Sequence, residues 1–222
     1  MRALVLFCGT GSVDRALIRA GFQVVSVDLE AKYNPTHVAD ILTWDYRQYP
    51  SDHFQFCWAS PCCTHFSRAR TTAKTPRDIE GALKLVAKTL EIFAYFGCPY
   101  AMENPQTGLL KEQAIVQSMP HKDVSYCKYG YSYRKATRIW TNMDWQHRPI
   151  CCKAHPCHAF ATTKCHPMTA QRGPGRKNGT LLDGDRCSLN QLYSMPPDLC
   201  DEIAKAAIVN GRNPSEAGQQ EV

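Results

Sequence analysis

Apolar and polar blocks alternate along the first sixty residues with spacings typical of strands and helices in turn. A short apolar run from Arg2 to Phe7 ends in the glycine turn CGTGS, and the apolar positions of the following VDRALIRAG fall on one helix face. A second strand-like run, Phe22 to Asp28, ends in a carboxylate. A strand, a glycine turn and a helix allow the backbone to approach a nucleotide closely. This pattern predicts the nucleotide-binding half of an α/β sheet.

The glycine turn and two acidic strand ends are the candidate ligand-binding features of this half. Gly9 and Gly11 lie in the turn, but the third glycine of a dinucleotide fingerprint is missing, which disfavours NAD. Asp28 follows Gly11 by 17 residues, where a carboxylate can accept hydrogen bonds from ribose hydroxyls. Asp40 ends another short strand and could receive an adenine amino group, although aspartate is also common there as a turn or cap residue.

Three chemically useful side chains follow or lie on later strand-like runs. PCCTHFS follows the apolar run FQFCWAS, Glu103 ends the run CPYAMENP after an amphipathic helix at about residues 77–96, and Arg138 lies within TRIWT. A cysteine at a strand end can simply be a small buried hydrophobic residue. A thiol, a carboxylate and an arginine on strands of one sheet can instead converge on one pocket, because open α/β sheets bind ligands at the carboxyl ends of their strands.

The order of these motifs resembles the DNA cytosine-5 methyltransferase family, particularly its small phage-type members. LFCGTGS resembles the cofactor loop, VDLE and ADI the ribose and adenine acids, SPCCTHFS the Pro-Cys nucleophile loop, ENP the Glu-Asn-Val segment and TRIW the paired-arginine strand. The resemblance covers residues 1–142. It implies a Rossmann-like sheet that uses S-adenosylmethionine to methylate C5 of a cytosine flipped out of double-stranded DNA.

The resemblance also implies roles for individual residues. Cys63 would attack C6 of the cytosine, Glu103 would bind N3 and the exocyclic amine, and Arg138 would hold O2. The expected cofactor contacts are Phe7, Gly9, Gly11, Asp28, Leu29, Asp40, Ile41 and Pro61.

Two adjacent cysteines leave the nucleophile open between Cys62 and Cys63. The family spacing, counted back from Phe66 and Ser67, favours Cys63 and puts Cys62 in place of the second proline. A bare Pro-Cys pair would favour Cys62. We therefore expect Cys63 to be the nucleophile.

The family carries a pair of arginines on the strand that corresponds to TRIW, and this chain lacks the first of them. Ala136 stands where that arginine would fall, so Arg134 or Lys135 would have to replace it. No Gly-Asn segment precedes MPPDLCDEIAKAAI, which otherwise resembles the final helix of the family, packed near the cofactor.

Periodicity disappears between residues 143 and 190, where cysteine and histidine become dense. CCKAHPCHAFATTKCHP contains four cysteines and three histidines in 17 residues. Thiolate and imidazole are the usual ligands of tetrahedral zinc, and a segment with few apolar residues can use a metal as its core. The predicted ligands are Cys152, Cys157, Cys165 and His166. The competing choices are Cys151, His155 and His158, and the alternative without metal is a reduced loop with incidental thiols.

The net charge of +6, from 26 basic and 20 acidic residues, is concentrated between Arg134 and Arg186 and indicates a polyanionic partner. A solvated basic face explains the charge equally well by itself, but the family resemblance favours DNA. The expected DNA contacts are Arg134, Lys135, Arg172, Arg176 and Lys177.

A chain of 222 residues is long enough for one α/β domain and a short excursion. We expect a catalytic and cofactor-binding domain at 1–142, a basic target-recognition excursion at 143–190, a helix at 191–210 that packs back on the first domain, and a flexible tail at 211–222. The apolar runs are too short to span a bilayer, and the first residues do not resemble a signal peptide. An intracellular monomer with reduced thiols is expected, in the cytoplasm of a bacterial or phage-infected cell.

Two rival functions remain open at this point. One is an RNA cytosine-5 methyltransferase that uses the same chemistry. The other is a catalytically silent, zinc-stabilised nucleic-acid-binding protein, although such a protein has no need of a thiol and a carboxylate at neighbouring strand ends.

Overall fold

The computed structural model describes residues 1–70, 73–170, 176–177, 180–181 and 188–211. Within these ranges, seven strands form one sheet: β1 (Arg2–Leu6), β2 (Gln23–Asp28), β3 (His37–Val38), β4 (Phe56–Ala59), β5 (Tyr100–Pro105), β6 (His121–Ser125) and β8 (Ala136–Thr141). Two pairs of short strands lie outside it, β7 (Tyr133–Arg134) with β9 (Met168–Thr169) and β10 (Arg176–Lys177) with β11 (Thr180–Leu181). The helices are α1 (Ser12–Arg19), α2 (Ile79–Phe96), α3 (Ala114–Gln117), α4 (His158–Thr163), α5 (Leu189–Tyr193) and α6 (Pro197–Gly211).

The strand order in the sheet is β3-β2-β1-β4-β5-β8-β6. Neighbouring strands are parallel from β3 to β5, whereas β8 is antiparallel to both β5 and β6. The order reverses between β1 and β4, and such a reversal opens a crevice at the carboxyl ends of the two strands. The α/β, Rossmann-like class expected from the sequence is confirmed.

Both faces of the sheet are covered, which explains why β1 and β4 are continuous apolar runs rather than alternating ones. Ala3 and Val5 of β1 pack into a core that includes α1 and α6, and Leu4 and Leu6 pack into a second core that includes α2. Successive side chains of a strand point to opposite faces, so one strand contributes to both cores.

The helices predicted from periodicity begin and end at recognisable capping residues. Gly11 precedes α1 at φ 68°, a left-handed conformation that glycine adopts without strain. The carboxylate of Asp78 accepts a hydrogen bond from the N–H of Gly81 at the start of α2, and Gly97 ends that helix at φ 60°.

The final helix predicted at residues 191–210 corresponds to the end of α5 followed by α6. Helix α6 packs against α1, where Arg19 and Asp201 form a salt bridge of 2.6 Å, and the N–H of Met195 donates to the hydroxyl of Ser12. The expected domain boundaries remain predictions, and most of the expected tail lies outside the described residues. No helix in the described ranges combines the length and apolar character needed to cross a membrane.

We predict that α6 contributes substantially to the stability of the sheet. Leu199 is fully buried, whereas Val209 on the same helix is 74% exposed. Leu199→Ala should lower the free energy of unfolding by about 2–5 kcal/mol, because it removes buried methyl groups and leaves a cavity. The control, Val209→Ala, should change it by less than about 0.5 kcal/mol. Urea unfolding measures both, and equal effects would show that α6 does not pack as described.

Candidate active site

A cavity of about 490 Å³ lies at the carboxyl ends of the central strands. Its volume is within the range of about 300–1,000 Å³ typical of small-molecule sites. Gly11 does not line it and instead begins α1. The other expected cofactor residues all line the cavity: Phe7, Gly9, Asp28, Leu29, Asp40, Ile41 and Pro61.

The loop after β1 is held against the end of β2 by backbone hydrogen bonds. The N–H of Phe7 donates to the carbonyl of Val27 at 2.8 Å, and the N–H of Gly9 donates to the carboxylate of Asp28 at 2.9 Å. Phe7 adopts φ 57°, a conformation that costs a non-glycine residue on the order of 1–3 kcal/mol. Strain of this kind persists where the surrounding structure enforces it, and here it shapes one wall of the cavity.

Asp28 and Asp40, the two acidic residues expected to contact the cofactor, have structural roles that leave acceptor capacity. Asp28 accepts from the N–H groups of Gly9 and Glu30, one on each carboxylate oxygen. Each oxygen keeps a further lone pair, so Asp28 can also accept a hydrogen bond from a ligand hydroxyl. Asp40 accepts from the N–H of Leu42 at 2.9 Å, which is the turn role considered as its alternative, and it lines the cavity as well.

The loop after β4 is held in place by hydrogen bonds from β5 and from the segment that follows β5. The side-chain amide of Asn104, fully buried, donates to the carbonyl of Pro61 at 2.8 Å. The N–H of Phe66 donates to the carbonyl of Cys63, and the N–H of Leu109 donates to the carbonyl of Phe66. These three bonds set the path of the backbone on either side of the double cysteine.

The two adjacent cysteines have different surroundings, although both line the cavity. Cys62 is exposed, and its thiol donates to the hydroxyl of Thr64 at 3.3 Å. Cys63 is only partly exposed, and burial together with the negative charge of Glu103 raises its pKa to about 11, while the positive charge of Lys135 opposes this rise. The ionisation of Cys63 therefore depends on the charges of Glu103 and Lys135.

Glu103 is buried, with 8% of its surface exposed, and burial raises the pKa of its carboxyl group. The hydroxyl of Tyr126 donates to its Oε1 at 3.4 Å, and the ammonium nitrogen of Lys135 lies 4.0 Å from the same oxygen. Lys135 Nζ is also 3.5 Å from the Tyr126 hydroxyl. Cys63, Glu103 and Lys135 therefore line the cavity together, and the buried phenol of Tyr126 contacts the last two.

The structure does not bring Arg138 into the cavity. Its Nε and Nη2 both donate to the carboxylate of Asp123 at 2.8 Å. In the sheet, Arg138 is directly opposite Asn104 and Asp123, whereas Glu103 is opposite Ile139. Because neighbouring residues of a strand point to opposite faces, Arg138 and Glu103 lie on different faces of the sheet.

The expected DNA contacts are described only in part. Arg134 is exposed on β7, and Lys135 follows it into the cavity. Arg172 lies outside the described residues, and for Arg176 and Lys177 the structure describes the backbone strand β10 alone.

A second group of reactive side chains lies beyond the end of β6. The ligand atoms of Cys127, Cys151, Cys157 and His166 all lie within 4.8 Å of one another. Two of these, Cys157 and His166, belong to the expected metal set. The other two expected ligands, Cys152 and Cys165, are not in the group; Cys151, 1% exposed, replaces its partly exposed neighbour Cys152.

The chain is 37% identical over 223 residues to the "Probable DNA (cytosine-5)-methyltransferase" of Frog virus 3 (isolate Goorha), a match that covers 91% of this chain and 98% of that protein. The chain belongs to the DNA (cytosine-5)-methyltransferase family. No family model matches it.

Solved methyltransferase structures share the fold. The Entamoeba histolytica methyltransferase EhMeth aligns with a TM-score of 0.56 at 10% identity and covers 96% of this chain and 99% of its own. A prophage-encoded DNA modification methyltransferase of E. coli aligns with a TM-score of 0.50 at 13% identity over 66% of this chain. This methyltransferase chain spans about half (49%) of the length of the prophage protein.

Two residues that line the cavity of this methyltransferase, and one that contacts Glu103 from behind its lining, were not predicted from its sequence. Tyr126 reaches Glu103 from the segment after β6, and Tyr193 and Met195 line the cavity from the chain between α5 and α6. For Tyr193 and Met195, the sequence signal was the resemblance of the last helix to the final helix of the family, which packs near the cofactor. For Tyr126 the sequence shows only an aromatic residue at a strand end and does not indicate that it contacts Glu103.

We predict that Lys135 and Glu103 shift the reactivity of Cys63 in opposite directions. In a Cys62→Ser background, Lys135→Met should raise the pKa of Cys63 and slow its alkylation by iodoacetamide, whereas Glu103→Gln should lower the pKa and speed alkylation. A shift of one pKa unit changes the thiolate fraction about tenfold below the pKa. Peptide mass spectrometry from pH 7 to 10 measures the rates.

The control for this prediction is Arg134→Met, which removes an exposed cation next to Lys135 in the sequence. It should leave the alkylation profile of Cys63 nearly unchanged, because exposed charges are screened by solvent. Identical profiles for Lys135→Met and the parent would show that Lys135 does not act on this thiol.

Proposed function

We propose that the protein transfers a methyl group from S-adenosylmethionine to C5 of a cytosine in DNA, through a covalent bond between Cys63 and C6 of the base. The observation that carries the proposal is the meeting of Cys63, Glu103 and Lys135 at one end of a cavity of cofactor size. Membership of the DNA (cytosine-5)-methyltransferase family, and the name of the Frog virus 3 relative, support DNA as the substrate.

The remainder of the cavity fits S-adenosylmethionine in its chemistry. Phe7, Leu29 and Ile41 offer apolar surface for an adenine ring, and Asp28 has free lone pairs for ribose hydroxyls. Gly9 lets the backbone come close to a ligand. The cofactor supplies an electrophilic methyl group, and the protein residues have to present the cytosine to it.

Cys63 makes C5 reactive by adding to C6. C5 of cytosine is a weak nucleophile, and a new S–C6 bond moves the electrons of the C5–C6 double bond onto C5. The thiol has to lose its proton first, and its pKa of about 11 means that it is mostly protonated near neutral pH. The positive charge of Lys135 favours the thiolate and so assists this step.

Glu103 stabilises the charge that develops on the ring during the attack. Electron density builds at N3, and a carboxyl group with a raised pKa can carry the proton that N3 needs. Its second oxygen can accept from the exocyclic amine. Tyr126 and Lys135, which lie 3.4 Å and 4.0 Å from its Oε1, help to position the carboxyl group.

Lys135 takes the place expected for an arginine at O2. Arg138 is paired with Asp123 on the other face of the sheet, whereas Lys135 lines the cavity beside Glu103. An ammonium group can donate to a carbonyl oxygen as a guanidinium does, although without the planar fork. After methyl transfer, water takes the C5 proton, the electrons of that bond re-form the C5–C6 double bond, and the S–C6 bond breaks to release the thiolate of Cys63 as N3 returns its proton to Glu103.

The base has to leave the duplex for this reaction, because C6 is not accessible within the stack. Flipping costs a few kcal/mol, which contacts to the backbone phosphates would offset. Exposed Arg134 precedes the cavity residue Lys135 in the sequence, and we propose it as one such contact. Arg172, Arg176 and Lys177, a monomeric state and an intracellular location in a bacterial or phage-infected cell remain predictions from the sequence.

We predict that Asp28 is required for tight binding of S-adenosylmethionine. Asp28→Ala removes both the acceptor for ribose and the bonds that hold Gly9 and Glu30, so the affinity should fall about tenfold to a hundredfold, or about 1–3 kcal/mol. Isothermal titration calorimetry measures it. Asp45→Ala, which removes a turn-capping carboxylate outside the cavity, is the control. Unchanged affinity in Asp28→Ala would contradict the placement of the cofactor.

We predict that DNA containing 5-fluorocytosine traps the enzyme covalently in the presence of the cofactor, because fluorine at C5 cannot leave as a proton does. Cys63→Ser should form no adduct, and Cys62→Ser should still form one. Glu103→Gln should slow trapping by about 10²-fold or more, since the attack loses its stabilisation at N3. Denaturing gel electrophoresis detects the adduct.

The pattern of adducts also separates the rival functions. An adduct with Cys63→Ser and none with Cys62→Ser would reverse the assignment of the nucleophile. Trapping by 5-fluorocytosine in RNA and not in DNA would favour an RNA methyltransferase. No adduct with either nucleic acid would favour a silent binding protein.

A further inference from the structure

The group formed by Cys127, Cys151, Cys157 and His166 has no part in the proposed methyl transfer. Three of the four residues are buried, and their thiols form a small core of their own with Ala159 and Phe160. The imidazole ring of His166 stacks on Phe160 at a centroid distance of 5.5 Å.

The spacing of the ligand atoms matches a tetrahedral metal site. His166 Nε2 lies 3.4 Å from the sulfur of Cys157 and 3.6 Å from that of Cys151. Bonds of about 2.3 Å from zinc to sulfur and about 2.0 Å to nitrogen, at the tetrahedral angle, give a sulfur–nitrogen separation of about 3.5 Å. The two sulfur–nitrogen distances therefore match those that a bound ion would impose, and the sulfur of Cys127 lies within 4.8 Å of the other three ligand atoms.

We propose that these four residues bind one Zn²⁺ ion in a structural Cys₃His site. Three sulfurs and one imidazole nitrogen fill the coordination sphere of zinc, and a closed sphere is typical of structural rather than catalytic sites. No reaction step passes through this ion.

Backbone groups around the sulfurs are suited to metal-bound thiolates. The N–H of Cys157 donates to the sulfur of Cys151 at 3.4 Å, and the N–H of Phe160 donates to the sulfur of Cys157 at 3.5 Å. The backbone N–H of Cys151 donates to the hydroxyl of Ser125 at 3.1 Å. Hydrogen bonds to ligand atoms, and to the chain that carries them, orient the ligands of metal sites.

The ion would join the excursion to the catalytic sheet. Cys127 lies 24 residues before Cys151 and directly after Tyr126, whose hydroxyl contacts Glu103. The chain beyond His166 forms β9, which pairs with β7 next to Lys135. A bound ion thus fixes residues 151–166 against the end of β6. The same ion would also hold Glu103 and Lys135 in position for catalysis, an inference that rests on the proposed function.

The experiment is elemental analysis of the full chain, purified without chelator from zinc-supplemented medium. We expect about one equivalent of zinc, and replacement by Co²⁺ should give the visible absorption of a tetrahedral ion together with thiolate charge transfer. These readouts need neither the methyl donor nor DNA, so they hold or fail independently of the proposed function. A parent protein with no zinc that also does not bind Co²⁺ would overturn the site, as would a disulfide between two of its cysteines.

Neighbouring cysteines supply matched control variants. Cys127→Ser and Cys151→Ser should lose the zinc equivalent, whereas Cys152→Ser and Cys165→Ser should keep it. If the first two variants fold poorly, His166→Cys tests the site in another way: it should keep zinc, because four ligands remain, and the Co²⁺ charge-transfer band should strengthen with a fourth thiolate. Zinc retained in Cys127→Ser and Cys151→Ser but lost in the two controls would overturn the ligand set.

Discussion

The reversal of strand order between β1 and β4 determines where the functional parts of this protein lie. Parallel strands on either side of the reversal end at the same edge, so the loops after β1, β2 and β4 all open on one crevice. The sheet is buried on both faces, and its strands have little freedom to shift. Asp28 and Cys63 are far apart in sequence, yet both line the same cavity because each follows a strand of this sheet.

The antiparallel strand β8, between β5 and β6, adds the second half of the site. It brings Lys135 and Tyr126, at the ends of two different strands, to within 4.0 Å and 3.4 Å of the buried carboxyl of Glu103. Burial raises the pKa of both Glu103 and Cys63, the negative charge of Glu103 raises that of Cys63 further, and the ammonium group of Lys135 lowers both. The chain at the end of β6 runs from Tyr126 directly to Cys127, which links the active site to the cysteine–histidine group.

The sequence predicted the parts of this structure that depend on short-range patterns. The strand, glycine turn and helix around Gly9 follow from apolar spacing, and the order of the motifs was specific enough to indicate the family. Arg138 shows where this reasoning stops. Whether a strand residue faces the cavity depends on register with two neighbouring strands, and a one-residue difference reverses the face. Motif spacing placed Arg138 in the site, while the register places it against Asp123.

The cysteine–histidine group shows a second limit of sequence reasoning. A dense run of candidate ligands identified the region, but the structural group includes Cys127, which lies outside the run and joins it through the packing of β6. Adjacent cysteines such as Cys151 and Cys152 cannot be separated by spacing. The structure distinguishes them, because the side chain of Cys151 is buried and that of Cys152 is partly exposed.

Methylation of cytosine in DNA through Cys63 can be measured directly with S-adenosylmethionine labelled in its methyl group. The purified enzyme is incubated with this cofactor and nucleic acid, and the nucleosides are then analysed by mass spectrometry. Duplex DNA and RNA are present in the same reaction, and they are separated before each is digested to nucleosides. Labelled 5-methyl-2′-deoxycytidine should form with the parent and be absent with Cys63→Ser. Label found only in RNA, on N4 of cytosine, or at undiminished levels with Cys63→Ser would contradict this prediction.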